Sequence, residues 1–172
     1  MAFILETARL ALRAWTVDDA EALFEICRDA DVMKYIGTGS PYQNLDDVRS
    51  VLEKIAAHHA AHGYGRMAVI EKSSRKIIGS CGFAHIESQG EIELGYLLSR
   101  DAWGKGYATE AARACLRYAF ETLKFPQLIA LTAPPNTASQ HVLEKIGFTS
   151  QGLQQVNGDD DIVYLAVNPE QR

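Results

Sequence analysis

Cysteine, tryptophan and proline are scarce in this chain of 172 residues, which holds three, two and five of them. Cys27, Cys81 and Cys115 are odd in number and far apart. That excludes a disulfide framework and the paired spacing of a zinc site, and it suits a reducing compartment. Long apolar runs are also missing. Met1 to Glu6 is too short and is interrupted by acid, so it does not read as a signal peptide. The longest uncharged stretch, Phe125 to Leu143, carries Pro126, Pro134, Pro135, Asn136, Gln140 and His141, which a bilayer would not accept as a spanning helix. Basic surplus is absent as well: 17 Lys and Arg against 22 Asp and Glu leave a net charge of −5. A chain so charged has little with which to neutralise a phosphate backbone. The expectation is a cytoplasmic protein with neither a nucleic acid nor a membrane as its partner.

What is present is ordinary globular composition, 47% hydrophobic and 23% charged. The length suits one domain that buries about two thirds of its unfolded surface. No repeat or Gly/Ser linker divides it, so residues 1–172 read as a single domain with an ordered core over about 8–167. Arg9 to Ala14 alternates polar and apolar, as a strand does. Thr16 and Asp19 resemble an N-cap box. Behind them Val17, Ala20, Leu23, Phe24 and Cys27 share a helical face. A short turn or helix holds Val32, Met33 and Ile36 and stops at Gly37. Asn44 precedes a helix with Val48, Val51, Leu52 and Ile55 that stops near Gly63. Arg66 to Glu71, Lys76 to Glu87 and Glu91 to Leu98 read as an antiparallel meander, broken at Ser73-Ser74 and Ser88-Gln89-Gly90. Gly104 to Leu123 reads as a helix, Gln127 to Thr132 as a strand, and Thr137 to Ile146 as a helix closed by Gly147. Asp161 to Val167 is the final strand, and the last five residues are expected to be loose. The class is α/β: one mixed, mostly antiparallel sheet flanked by helices, with a single parallel crossover between Glu91 and Thr132.

Trp103-Gly-Lys-Gly-Tyr-Ala-Thr109 stands where the fourth strand hands over to the long helix. A helix start leaves backbone N–H donors unpaired and carries partial positive charge. Gly104 and Gly106 let a ligand oxygen approach closely. Such a turn suits a diphosphate, with Lys105 as an added charge or a solvated side chain. A P-loop is excluded, because G-x-x-x-x-G-K-[ST] does not occur. A dinucleotide fingerprint fails at Thr109, and the strand Gln127 to Ala133 ends without the acid that a ribose needs.

These residues resemble a GNAT-fold N-acetyltransferase over nearly the whole chain. The family's loop is Gln/Arg-x-x-Gly-x-Gly/Ala, and Asp101-Ala-Trp-Gly-Lys-Gly106 matches except at Asp101. Trp103 to Glu110 is similar to the ribosomal-protein alanine N-acetyltransferase (Rim-type) branch. So are Thr7-Ala-Arg-Leu-Ala-Leu-Arg13, Asp18-Asp19-Ala20, Asp31-Val-Met-Lys-Tyr-Ile-Gly37, Glu93-Leu-Gly-Tyr96 and Asn136-x-x-Ser139 leading to Leu143-Glu-Lys-Ile-Gly-Phe148. The resemblance implies acetyl-CoA as cosubstrate, bound where the parallel fourth and fifth strands splay apart, and direct transfer of acetyl to an amine. It places the diphosphate on Trp103, Gly104, Lys105, Gly106, Tyr107, Ala108 and Thr109. The pantetheine arm would lie beside Tyr96, Leu97 and Leu98, within reach of Asn136 and Ser139.

Two residues are candidates for the chemistry. An attacking amine must be neutral, and an α-amine with pKa about 7.7–8.0 gives up its proton more easily than a lysine at about 10.4. Glu93 on the fourth strand is the base candidate, against the alternative of a solvent-side charge. The departing thiolate needs a hydrogen bond. Many family members supply it from a tyrosine two residues before the Lys of Lys-x-Gly-Phe, but Leu143 stands there. Ser139 is the implied substitute, against the alternative of a first-turn helix serine.

His58 and His62, spaced i, i+4, lack a completing carboxylate or cysteine, so no metal is expected. Cys81 and Cys115 read as core. Trp15, Tyr35 and Tyr42 could line the acceptor side, which would be built from loops around residues 30–45 and 150–160. The leading function is transfer from acetyl-CoA to a protein N-terminal α-amine of ribosomal-protein type, by a monomer or homodimer. The alternatives are a polyamine, amino-acid or antibiotic acceptor, or a non-catalytic acyl-CoA-binding module.

Overall fold

The computed structural model describes residues 2–86, 90–156 and 158–171. Eight strands form one sheet in the order β1-β2-β3-β4-β5-β6-β8-β7. They are β1 (Leu5–Glu6), β2 (Leu10–Ala14), β3 (Arg66–Glu71), β4 (Lys76–Ile86), β5 (Glu91–Leu98), β6 (Gln127–Thr132), β7 (Thr149–Val156) and β8 (Asp159–Val167). The helices are α1 (Ala20–Cys27), α2 (Ala30–Met33), α3 (Leu45–His62), α4 (Tyr107–Glu121) and α5 (Thr137–Ile146). The strand expected at Arg9 is thus β2, and the expected fourth strand is β5.

The alternation of β3 explains the layering. Met67 and Val69 face a core shared with Leu12, Phe83, Leu94, Ala111, Cys115, Leu128 and Leu143, beneath α4 and α5. Ala68 points the other way, into a second core with Trp15, Leu23, Val48 and Leu52 beneath α1 and α3. Stacking small residues on α4 lets it lie close on the sheet. Removing a filled position such as Leu143, 1% exposed, would cost about 2–5 kcal/mol. At the entry to α1, the Asp19 carboxylate accepts the Thr16 N–H at 2.9 Å and both Arg13 Nη atoms at 2.7 Å. The cap box read from Thr16 and Asp19 is therefore tied to β2. Asn44 caps α3 through the Asp47 N–H at 2.9 Å, and Gly63 ends it in the left-handed conformation at φ 75°.

All neighbouring strands run antiparallel except β5 and β6, which run parallel and share one registered pair, Glu93 opposite Ile129. Beyond that pair they diverge, as the splayed fourth and fifth strands of the expectation do.

Several expectations need correction. The long helix starts at Tyr107, not Gly104, because Gly104 (φ 72°) and Gly106 (φ 78°) take left-handed backbone that a helix cannot use. The stretch 150–160, expected as a loop, instead holds most of edge strand β7 and the start of β8, which pair with each other. The tail is not wholly loose: Asn168 is 1% exposed and donates to the Phe125 carbonyl at 3.1 Å, and residues 169–171 form a 3-10 turn. The Ser88-Gln89 break and the expected strand end at Glu87 lie outside the described residues.

Candidate active site

A cleft of about 730 Å³ opens where β5 and β6 part. Its walls are Glu93 to Leu97 of β5, Ala130 to Ala133 at the end of β6, Asn136 and Ser139 at the start of α5, residues 33–39 from the end of α2 onward, and Asp159 to Asp161 of β8. Tyr35 and Tyr42 line it as well. Trp15 does not: it is 4% exposed in the α1/α3 core, its indole N–H donating to Ser80 Oγ at 3.2 Å. Residues from both segments expected on the acceptor side thus line the cleft, while Trp15 is withdrawn into packing.

Glu93 lies in the wall, and its Oε2 accepts Arg66 Nη2 at 2.8 Å. The guanidinium lies against Gly95, where a Cβ would collide with it. A side chain at residue 95 would displace that guanidinium, the far end of a flexible side chain, from its place beside Glu93. Arg66, which also lines the cleft, was not singled out by sequence reasoning. Across the cleft, Asp161 has its carboxyl pushed up by burial and then by the charges of Asp159, Glu93 and Asp160. The run Asp159-Asp160-Asp161 was the signal that could have found it, since alternate residues of a strand share a face.

Tyr96 and Ser139 come together. The phenol oxygen lies 2.9 Å from Ser139 Oγ and donates to the Ser139 carbonyl at 3.2 Å. Burial pushes the phenol well above its ordinary pKa, a shift that the Ser139 bond opposes. Asn136 caps α5 by accepting the Ser139 N–H at 3.3 Å, which fixes that hydroxyl at the helix start. Leu143, at the position of the family tyrosine, presents hydrocarbon to the cleft.

The loop 103–109 lies beyond the cleft lining. Trp103, 47% exposed, reaches back so that its indole N–H donates to the Leu98 carbonyl at 2.8 Å, joining the end of β5 to the loop. Leu98 itself is 6% exposed, and Leu97 lines the cleft. The first bond of α4 runs from the Glu110 N–H to the Gly106 carbonyl at 3.1 Å, which leaves the N–H groups of Tyr107, Ala108 and Thr109 outside the helical ladder. The Tyr107 side chain turns inward and its hydroxyl donates to Glu71 at 2.6 Å, so only its backbone can serve a ligand. A Cβ on Gly104 would meet nothing within 4 Å. Lys105 is exposed.

His58 and His62 stack at 4.4 Å, with His85 6.1 Å from His62. Among the described residues, no group of three or more His, Cys, Asp or Glu could hold a metal ion. Cys81 and Cys115 are fully buried with their sulfurs 3.5 Å apart. Cys27 lines the cleft, its thiol pushed up to about 11 by burial. No helix among the described residues is long and apolar enough to cross a membrane.

The chain matches the family described as Acetyltransferase (GNAT) domain over residues 9–149. It is 33% identical over 150 residues to "Uncharacterized N-acetyltransferase p20" of Bacillus licheniformis, covering 87% of this chain and 84% of that protein. A crystal structure of an acetyltransferase from Agrobacterium tumefaciens aligns at TM-score 0.81 with 32% identity, over 94% of this chain and 92% of that one. RimL, a ribosomal L7/L12 alpha-N-protein acetyltransferase solved with coenzyme A, aligns at TM-score 0.82 over 96% of this chain and 98% of that one. At 20% identity, that last likeness concerns the fold. The parallel pair that parts after Glu93, the glycine turn ahead of α4 and the match over residues 9–149 agree: this chain belongs to the GNAT acetyltransferase family and is an acyltransferase.

Proposed function

We propose that the protein transfers acetyl from acetyl-CoA to a primary amine, most readily the α-amine of a protein N-terminus. The observation that carries this is the wedge between β5 and β6, with Glu93 and Ser139 in its wall and a row of backbone donors beyond its mouth. The residues fit the cosubstrate. β5 past Glu93 has no registered neighbour on its β6 side, so an extended amide-bearing arm can run along Tyr96 to Leu98 as an added strand. The N–H groups of residues 104–109 suit a diphosphate, since a helix start favours negative charge, while that of Trp103 donates to the Arg100 carbonyl at 3.0 Å.

Acetyl-CoA supplies the activated carbonyl; the rest falls to this chain. Glu93, held by Arg66, accepts a proton from the amine directly or through a water. A backbone N–H near Leu97 or Leu98 stabilises negative charge on the carbonyl oxygen. Ser139 gives a hydrogen bond to the departing sulfur. Asn136 holds Ser139 in place and offers its amide to the arm. The second reading is a small polycationic amine, favoured by the three carboxylates Asp159, Asp160 and Asp161 around the opening.

The test is release of free thiol from acetyl-CoA with a panel of amines. Turnover with peptides bearing a free N-terminus, and little with Nα-blocked peptides containing lysine, is the expected result. Faster turnover with polyamines favours the second reading. Tight acetyl-CoA binding without thiol release across the panel overturns both and leaves a binding module.

A further inference from the structure

Arg9 stands 96 residues from Lys105 in sequence, yet its Nη1 donates to the Lys105 carbonyl at 2.9 Å. The rest of the guanidinium is fixed. Nε and Nη2 lie 2.7 and 2.6 Å from Glu110 Oε2, and the head lies 4.5 Å over the Tyr107 ring. Glu110 is committed to the same corner: its Oε1 accepts the Arg9 backbone N–H at 3.0 Å and the Thr7 hydroxyl at 2.6 Å. Nothing in the transfer chemistry uses these groups, and they lie outside the cleft.

Two consequences follow for the loop. A trans peptide plane points its C=O and the next N–H in opposite directions. By gripping the Lys105 carbonyl, Arg9 turns the Gly106 N–H away from its own guanidinium. Glu110 also sits in the first turn of α4, where an unpaired carboxylate would repel a diphosphate. Held by Arg9 and Thr7, its charge is matched beside the loop.

We propose that Arg9 is a positioning residue for the diphosphate loop: it sets the direction of the Gly106 N–H and offsets the Glu110 charge, and so contributes to acetyl-CoA affinity without touching the reacting atoms. This rests on residues 103–109 being the diphosphate loop. It assigns the residue just ahead of β2 a part in donor binding that is separate from the cleft.

The test compares two donors, acetyl-CoA and acetyl-pantetheine, which shares the thioester and arm but has no diphosphate. For Arg9→Gln, the KM for acetyl-CoA is expected to rise roughly tenfold with kcat within about twofold, the weight of one charge-assisted hydrogen bond. kcat/KM for acetyl-pantetheine should stay within about twofold. Arg9→Lys keeps the charge but cannot span both Glu110 and the Lys105 carbonyl, and should recover only part of the affinity. It serves as the second variant should Arg9→Gln fold poorly, with thermal melting as the control. If wild-type protein prefers acetyl-CoA and Arg9→Gln has an unchanged KM, or loses equally with both donors, this inference fails alone. If wild-type protein shows no preference between the donors, the loop reading falls and takes the inference with it.

Discussion

The Tyr96 phenol of β5 reaches the Ser139 hydroxyl of α5 across the parting strands, 2.9 Å away. One phenolic hydrogen faces two acceptors, Ser139 Oγ and the Ser139 carbonyl. When it goes to Oγ, the serine hydrogen is free to meet a sulfur in the cleft. Leu143 brings no hydroxyl to this place, and the strand sets a phenol beside the Ser139 hydroxyl instead.

Loss of the phenol should therefore be felt in turnover. Tyr96→Phe is expected to lower kcat about tenfold with KM for acetyl-CoA within about threefold, since one hydrogen bond is removed and the ring is kept. Ser139→Ala should lower kcat at least as much. Because burial keeps the phenol protonated, the wild-type rate should show no inflection from Tyr96 between about pH 6 and 10. Unchanged kcat in both variants would remove the pair from the chemistry.

Glu93 and Arg66 make the second testable pair. Glu93→Gln keeps a hydrogen-bonding side chain beside Arg66 but cannot take a proton. A fall in kcat of about 100-fold is expected, with KM for acetyl-CoA little changed. Raising the pH from 7 to 9 should recover part of the loss, because an α-amine deprotonates itself over that range. Steady-state rates against pH for both proteins check this, and parallel profiles at equal rates would dismiss Glu93 as the base.

Local chemistry explains which features could be read in advance. Asn44 and Gly63 mark the ends of α3, and Asn136 and Gly147 the ends of α5, because each supplies an interaction within a few residues of itself. β7 escaped notice because it is an edge strand whose residues 149–155 are all exposed, so burial imposes no alternation on them. The short signal there was Asn157-Gly158, a hairpin dipeptide directly before β8. Glu93, Ser139 and the glycine loop could be named from motifs. Their pairings could not: Arg66 is 27 residues from Glu93, and Tyr96, named only for the pantetheine arm, is 43 from Ser139, and only the folded chain brings them together.

The histidines of α3 predict a pH effect on stability. His58 has a depressed pKa, chiefly from burial and then from His62, His85, His59 and Arg66, and its Nε2 is buried without a hydrogen-bond partner among the described residues. The folded state thus favours neutral His58, while the unfolded chain takes up a proton near pH 6.5. No penalty exists well above that value. It grows as pH falls through about 6.5 and levels off below the folded pKa. Thermal melts of wild-type and His58→Phe protein from pH 8 to 5 should show a steeper loss of Tm in the wild type. Matching slopes would mean that the cluster opens to water at no cost.

Asp161 carries the opposite sign. Its folded pKa is raised, by burial first and then by Asp159, Glu93 and Asp160, so its charged form is disfavoured by the fold. The penalty is full above the folded pKa and absent below the unfolded value of about 3.9. Asp161→Asn should therefore raise Tm at pH 7, and the gain should vanish near pH 3.5. A cationic amine entering the cleft relieves the same penalty, so the substitution should also raise the acceptor KM several-fold while leaving kcat near wild type. A collapse of kcat would instead assign the base to Asp161 rather than Glu93. A lower Tm at pH 7 would show that its carboxylate is stabilised by the fold.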